Sequence, residues 1–120
     1  MTAVDFSRAR IVHKRWKTNL KKFINGEKTL TNEEAFYHES CELGRWIYSD
    51  GMINYNRIAE MRKVEKLHAR LHTRVRELME MKASDNEFGI KRNWAKIEKL
   101  SGEIIALLTV LETKSKQQKS

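Results

Sequence analysis

Proline is absent from this chain of 120 residues, and glycine occurs only five times. Chains built from many short strands need frequent turns, and proline and glycine are the residues that form most of them. Their scarcity favours a few long helices joined by short loops. The length suits a single domain, and 40% apolar residues supply enough side chains for one hydrophobic core.

Apolar residues recur at helical spacing in four segments. We predict helices over residues 2–24, 35–49 and 54–82, and a fourth helix after a break at residues 83–86. Asn25-Gly26 marks the end of the first helix, residues 31–34 offer N-cap and early acidic residues for the second, and Asp50-Gly51 ends the second. Ser84 or Asp85 is the predicted cap of the last helix.

The last helix carries an unbroken seam in four-three alternation: Ile90, Trp94, Ile97, Ser101, Ile104, Leu108 and Leu111. Such a seam is typical of helical bundles. Ser101 is a small polar residue within it, which leaves room for a metal centre on a facing helix but is explained nearly as well by a surface shift. The fold prediction is an all-α, antiparallel four-helix bundle, with a short irregular helical element that carries Cys41. The domain spans residues 1–113, and residues 114–120 form a disordered basic tail.

The net charge does not identify the kind of binding partner. The chain has 24 Lys and Arg residues and 16 Asp and Glu residues, which gives a net charge of +8. A basic chain can bind nucleic acid or an anionic surface. Here the basic residues are scattered along all the helices, so we expect no nucleic-acid partner. We also expect no membrane partner, because no apolar run approaches the roughly 18–20 residues that span a bilayer. The N-terminus lacks a secretory signal pattern, which predicts a cytoplasmic protein.

Four residues form a candidate metal site: His13, Cys41, His68 and His72. His68 and His72 stand at positions i and i+4, so both imidazoles project from one helix face at the edge of its apolar seam. Cys41 is the single cysteine, so it is a buried small residue, a reactive thiol or a metal ligand. His13 lies on a third element that a bundle brings close. One thiolate and three imidazoles fill a tetrahedral zinc site with no position left for water.

Three further residues compete for roles around this site. His38 lies three residues before Cys41, so it could chelate with that cysteine, although a solvated or supporting role fits better because four ligands are already present. Glu42 and Glu65 could orient ligand imidazoles, but a charged surface role is the simpler interpretation of both.

Several linked motifs in this chain resemble the chemoreceptor zinc-binding (CZB) domain. They are His13-x-x-Trp16, Cys41-x-Leu43-Gly44-x-Trp46 and His68-x-x-x-His72. The spacings also suit the family, with 24 residues between Trp16 and Cys41 and 21 between Trp46 and His68. The resemblance extends over roughly residues 9–111. It implies a helical bundle that holds Zn²⁺ through His13, Cys41, His68 and His72.

The resemblance also implies a function. CZB domains are attached to bacterial chemoreceptors and diguanylate cyclases and also occur as short proteins, so a zinc-binding sensory or regulatory domain is the main prediction. The signal would be zinc availability or oxidation of the zinc-bound cysteine by hypochlorous acid. Relatives form homodimers, and a chemoreceptor or diguanylate cyclase is the kind of signalling partner implied. No coiled coil or cyclase domain accompanies the motifs here, so the chain is an excised module or, with its Met1 and fading tail, a stand-alone protein.

Two other classes compete with the sensor. One is a helical adaptor or interaction module in which zinc is purely structural and is lost only on unfolding. The other is a zinc enzyme, which needs an open coordination position and a general base. The full ligand set and the absence of an HExxH motif argue against that class, so we predict that the chain is not an enzyme.

Overall fold

The computed structural model describes residues 3–27 and 41–118, and these residues contain helices and turns but no β-strand. Three helices are long: α1 (Ala3–Ile24), α4 (Ala59–Ala83) and α5 (Glu87–Gln118). Between α1 and α4 lie the short helices α2 (Glu42–Trp46) and α3 (Met52–Tyr55), joined by a π-helical turn over Ile47–Gly51. The predicted all-α class and the irregular element carrying the cysteine are confirmed.

Helix α1 ends where the sequence predicts, at Asn25-Gly26. Gly26 adopts a φ of +78°, a left-handed conformation that costs glycine little. The N–H of Gly26 donates to the carbonyl of Phe23 at 3.0 Å, and the N–H of Glu27 donates to the carbonyl of Lys22 at 2.8 Å. This pair of bonds is a Schellman motif, which satisfies carbonyls that the helix end leaves without partners.

The short helical segment differs from its prediction at both ends. The predicted N-cap region at residues 31–34, the start of the second helix at residues 35–40 and His38 all lie outside the described residues. At the other end the prediction of a stop at Asp50-Gly51 is wrong, because Gly51 has helical φ and ψ of −63° and −64° and the chain continues into α3. The long helix then begins at Ala59 and not at residue 54, because Ile58 is extended, with φ −86° and ψ 125°.

Helices α4 and α5 form an antiparallel hairpin with a three-residue connection, Ser84 to Asn86. Asp85 has a φ of 55°, which turns the chain between the two helices. The side chain of Asn86 accepts a hydrogen bond from the N–H of Gly89 at 3.0 Å, so Asn86 is the N-cap of α5. The prediction of Ser84 or Asp85 as the cap is therefore wrong by one or two residues.

Helix α5 continues to Gln118, beyond the predicted start of a disordered tail at residue 114. Lys114 binds the carboxylate of Glu60 at 2.9 Å and so ties this end of α5 to the start of α4. Ser115 is buried and donates to the carbonyl of Glu112 at 2.8 Å. These contacts hold the helical conformation past residue 113. The division into one domain and a tail otherwise stays a prediction.

Helix α1 runs antiparallel to α5, as a ladder of side-chain contacts between the two helices demonstrates. From the N-terminus of α1 onward, the contacts are Arg10 with Glu112, His13 with Ser101, Lys17 with Glu98 and Lys21 with Trp94. The predicted seam lies inside the resulting bundle, because Ile97, Ile104, Leu108 and Leu111 are all fully buried. No described helix has an apolar stretch long enough to cross a lipid bilayer.

An aromatic cluster attaches the short segment to α1. The ring of Phe6 packs edge-on against Trp46 at a centroid distance of 5.5 Å and against Tyr55 at 5.3 Å. Phe6 is fully buried, so it supplies a large share of the apolar contact between α1 and this segment. The cluster positions α2, and with it Cys41 at the N-terminus of α2, beside the other helices.

Candidate metal centre

Helix α4 contributes two histidines on one face, as their i, i+4 spacing predicts. His68 and His72 are 2% and 1% exposed, so both imidazoles are inside the bundle. Their ring centroids lie 4.7 Å apart in an edge-on arrangement, with an interplanar angle of 75°. A pair of buried imidazoles so close together is suited to chelation of a transition metal.

Cys41 comes from the short segment, where it is the N-cap of α2. Its backbone is extended, with φ −73° and ψ 162°, and its Sγ accepts a hydrogen bond from the N–H of Gly44 at 3.3 Å. The same Sγ lies 3.1 Å from Nε2 of His68 on α4. Burial raises the pKa of the Cys41 thiol, while the N–H groups of Gly44 and Leu43 and the charge of Arg45 act in the opposite direction.

Cys41, His68 and His72 form one cluster, in which a ligand atom from each residue lies within 4.8 Å of the others. All three side chains are buried. Thiolate and imidazole are the donors that structural and regulatory zinc sites use, and hard cations such as Mg²⁺ and Ca²⁺ prefer oxygen. The donor set and its spacing therefore fit zinc. The prediction that these three residues meet is supported by this geometry.

His13 is placed differently from the other three candidate ligands. It is 2% exposed and lies next to the cluster, but it is not one of the residues whose ligand atoms come within 4.8 Å of one another. Its Nε2 is instead 2.7 Å from Oγ of Ser101 on α5. Burial lowers the pKa of His13 to about 4, assisted by Lys17 and His72. The imidazole is therefore neutral at pH 7, which is the form that binds metal. His13 as a fourth ligand stays a prediction.

Trp16 connects His13 to the cluster. Its ring stacks on His13 at a centroid distance of 5.8 Å and packs against His72 at 5.4 Å. Such an aromatic wall limits the access of water to the imidazoles. By contrast, Glu42 lies at the surface beside Arg15, 3.8 Å away, with half of each side chain exposed. The surface interpretation of Glu42 agrees with this position.

Sequence reasoning missed two features of the site. The first is the hydrogen bond between His13 and Ser101, which joins residues 88 positions apart. Its only signal in the sequence was a polar residue within the apolar seam of α5. The second is the capping role of Cys41, which has no signal in the sequence because cysteine is not among the preferred N-cap residues.

Comparison with known protein families agrees with this geometry. The model of the family described as the chemoreceptor zinc-binding domain matches residues 13–79. The matched range is more than half of the 120 residues, and it begins at His13 and includes Cys41, His68 and His72. Neither the curated proteins nor the solved structures give a match. The family match and the Cys41/His68/His72 cluster together identify a zinc-binding domain, and the chain belongs to the chemoreceptor zinc-binding domain family.

Proposed function

We propose that this protein is a regulatory domain that binds one zinc ion through His13, Cys41, His68 and His72 and responds to zinc availability or to oxidation of Cys41. The observation that carries the proposal is the buried Cys41/His68/His72 cluster inside the region matched by the family. His13 completes the set because it is buried, is neutral at pH 7 and contacts the same Trp16 ring that packs against His72.

Each residue has a definite task in such a site. His68 and His72 provide a chelating pair on a rigid helix, and Cys41 supplies the single anionic donor. Bound zinc keeps that sulfur deprotonated and accepts a lone pair from each neutral imidazole. Four protein donors leave no coordination position for a substrate or an activated water, so we expect a binding domain and not an enzyme.

The position of Cys41 favours a sensor over a purely structural zinc site. Cys41 heads a short segment that reaches α1 through the Phe6–Trp46 and Phe6–Tyr55 contacts, whereas the histidines sit on long helices. Hypochlorous acid would take two electrons from the thiolate and release chloride, leaving a sulfenic acid that binds zinc weakly. The segment of α2, the π-helical turn and α3 would then lose the link to α4 that the metal provides through Cys41, and keep its packing contacts around Met61. A helical adaptor with structural zinc is the alternative, in which the metal leaves only on unfolding.

The metal content of the purified protein tests the proposal. Native mass spectrometry of the wild type should give one zinc per chain, and Cys41→Ser and His72→Ala should each bind zinc more weakly and retain less of it. His38→Ala is the matched control, because it removes the remaining histidine of the sequence, and it should keep its zinc. A wild type without zinc after supplementation, or equal zinc in all variants, would overturn the assignment.

The sensory part of the proposal needs its own experiment. Treatment of the zinc-loaded protein with one equivalent of hypochlorous acid should release zinc, measured with a chromophoric chelator, while the helical circular dichroism signal is retained. Zinc release only together with loss of the helical signal would favour the structural alternative. A homodimer, a chemoreceptor or diguanylate cyclase partner and a cytoplasmic location are further predictions from the family. Light scattering with and without zinc tests the dimer.

A further inference from the structure

The hydrogen bond between His13 and Ser101 joins α1 to α5 beside the metal cluster. Oγ of Ser101 lies 2.7 Å from Nε2 of His13, and the two residues are 2% and 3% exposed. Ser101 interrupts an apolar seam between Ile97 and Ile104, both fully buried. A hydroxyl in such a position is costly unless it has a hydrogen-bond partner, and His13 supplies that partner.

The His13 ring has two alternative partners, the hydroxyl of Ser101 and a metal held by Cys41, His68 and His72. In the present arrangement neither ring nitrogen of His13 belongs to the group of ligand atoms within 4.8 Å of one another. Coordination of one zinc by all four residues therefore requires a ring nitrogen of His13 to come closer to the ligand atoms of Cys41, His68 and His72. Nε2 already contacts Oγ of Ser101 at 2.7 Å, and a nitrogen that coordinates a metal has no lone pair or proton left for a hydrogen bond, so coordination through Nε2 breaks this bond.

We propose that Ser101 competes with the metal for His13 and thereby sets the zinc affinity of the site. This inference rests on the proposed function, because it takes His13 as the fourth ligand. Cys41, His68 and His72 form the part of the site that is already assembled, and His13 is the ligand that changes partner. The competition weakens zinc binding by the free energy of the His13–Ser101 bond.

The exchange of partners also gives zinc binding a mechanical consequence. The His13–Ser101 bond lies between two ion pairs of the same interface, Arg10 with Glu112 at 3.3 Å and Lys17 with Glu98 at 3.6 Å. Movement of His13 away from α5 removes the buried polar contact between them. Metal occupancy is thus coupled to the packing of α1 on α5, a relation that a site built only from α2 and α4 would lack.

Zinc affinities of four proteins test the proposal: the wild type, Ser101→Ala, Ser101→Thr and Ser115→Ala. Ser115 is a matched control, because it is a buried serine of the same helix whose hydroxyl bonds the carbonyl of Glu112 in its own helix. Competition with a chromophoric chelator should give about fivefold tighter zinc binding for Ser101→Ala, equivalent to a net hydrogen bond of roughly 1 kcal/mol. Ser101→Thr keeps the hydroxyl and should bind zinc as the wild type does, and Ser115→Ala should be unchanged.

A double-mutant cycle shows whether the effect acts through His13. In a His13→Ala background, Ser101→Ala should leave the zinc affinity unchanged, because no ring remains for which the hydroxyl can compete. The ¹⁵N chemical shift of His13 Nε2 adds a spectroscopic readout. Without zinc, this shift should differ between the wild type and Ser101→Ala, and zinc should bring the two proteins to the same value. Thermal unfolding of every variant identifies any that fail to fold.

The outcomes separate this inference from the function on which it rests. Equal or weaker zinc binding by Ser101→Ala, with His13→Ala still impaired, would overturn the competition and leave the four-ligand site standing. Wild-type affinity in His13→Ala would remove His13 from the site and the competition with it. Wild-type protein that binds no zinc would overturn both proposals.

Discussion

Sγ of Cys41 lies 3.1 Å from Nε2 of His68, and this contact joins the N-terminus of α2 to the middle of α4. The two side chains come from elements that differ in how they are held. α4 packs along its length on α5, whereas the short segment is attached to α1 through an aromatic cluster. A metal that binds both residues therefore fixes the short segment to the main helical hairpin.

Cys41 has two roles that substitution can separate, as a ligand and as the N-cap of α2. Serine is a strong N-cap but a poor zinc donor, so Cys41→Ser should lower zinc affinity at least about 100-fold and change the unfolding free energy of the zinc-free protein by less than about 0.5 kcal/mol. Cys41→Ala should lower zinc affinity by the same factor, and it should also lower the unfolding free energy by about 1 kcal/mol, because alanine does not cap the helix. Urea unfolding and chelator competition measure the two effects. Wild-type zinc affinity in the Cys41→Ser variant would show that the sulfur of Cys41 is not a ligand.

Zinc binding should release about one proton at pH 7, and that proton should come from Cys41. Burial raises the pKa of the Cys41 thiol, so the thiol is protonated before it binds metal. Burial lowers the pKa of His13 to about 4, so His13 has no proton to lose in this range. Because a proton must leave, zinc affinity should fall about tenfold for each pH unit below the thiol pKa.

Calorimetry in buffers of different ionisation enthalpy counts the released protons. The number should be unchanged in His13→Ala and near zero in any zinc binding that Cys41→Ser retains. An equal proton count in wild type and Cys41→Ser would contradict the assignment of the proton to the thiol.

Two glycines should respond to alanine in opposite directions. A Cβ on Gly51 would lie 3.0 Å from Cε of Met61 and 3.2 Å from the ring of Trp46, which is closer than ordinary van der Waals contact. Because Met61 is fully buried and has little room to move, Gly51→Ala should destabilise the fold even though alanine favours the helical backbone there. Gly102 lies within α5 with nothing within 4 Å of an added Cβ. Gly102→Ala should therefore stabilise the protein by about 0.5–1 kcal/mol through helix propensity. Thermal or urea unfolding of both variants checks the signs, and stabilisation by Gly51→Ala would refute the packing described around the π-helical turn.

Long helices and the histidine pair could be predicted from sequence, because both follow from local spacing. The 3.6-residue period places His68 and His72 on one face whatever surrounds them. The end of α1 could also be predicted, because Asn25-Gly26 is a local signal for a helix end. Gly26 adopts the left-handed conformation that such an end requires. The metal cluster required one further step, namely that a bundle brings Cys41 against α4.

The features that sequence did not predict depend on tertiary contacts. Glycine after an aspartate is typical of a helix end, yet Gly51 lies in a helical turn. This turn comes so close to Met61 and Trp46 that only a residue without a side chain fits easily. Ile58 is extended although the apolar pattern of α4 continues through it. The periodicity of apolar residues shows which side of a helix is buried, but it does not show where the helix begins. The partner of His13 is decided by a residue 88 positions away, so spacing around His13 could not identify Ser101.

The coordination shell of the bound metal tests the central claim most directly. X-ray absorption spectroscopy at the zinc edge should give one sulfur at about 2.3 Å and three nitrogens at about 2.0–2.1 Å, and a second spectrum of Cys41→Ser should lack the sulfur. That result would establish one thiolate and three imidazoles as the ligands of this domain. A wild-type spectrum without sulfur, or with two sulfurs around each zinc, would contradict a site built from the single cysteine of one chain.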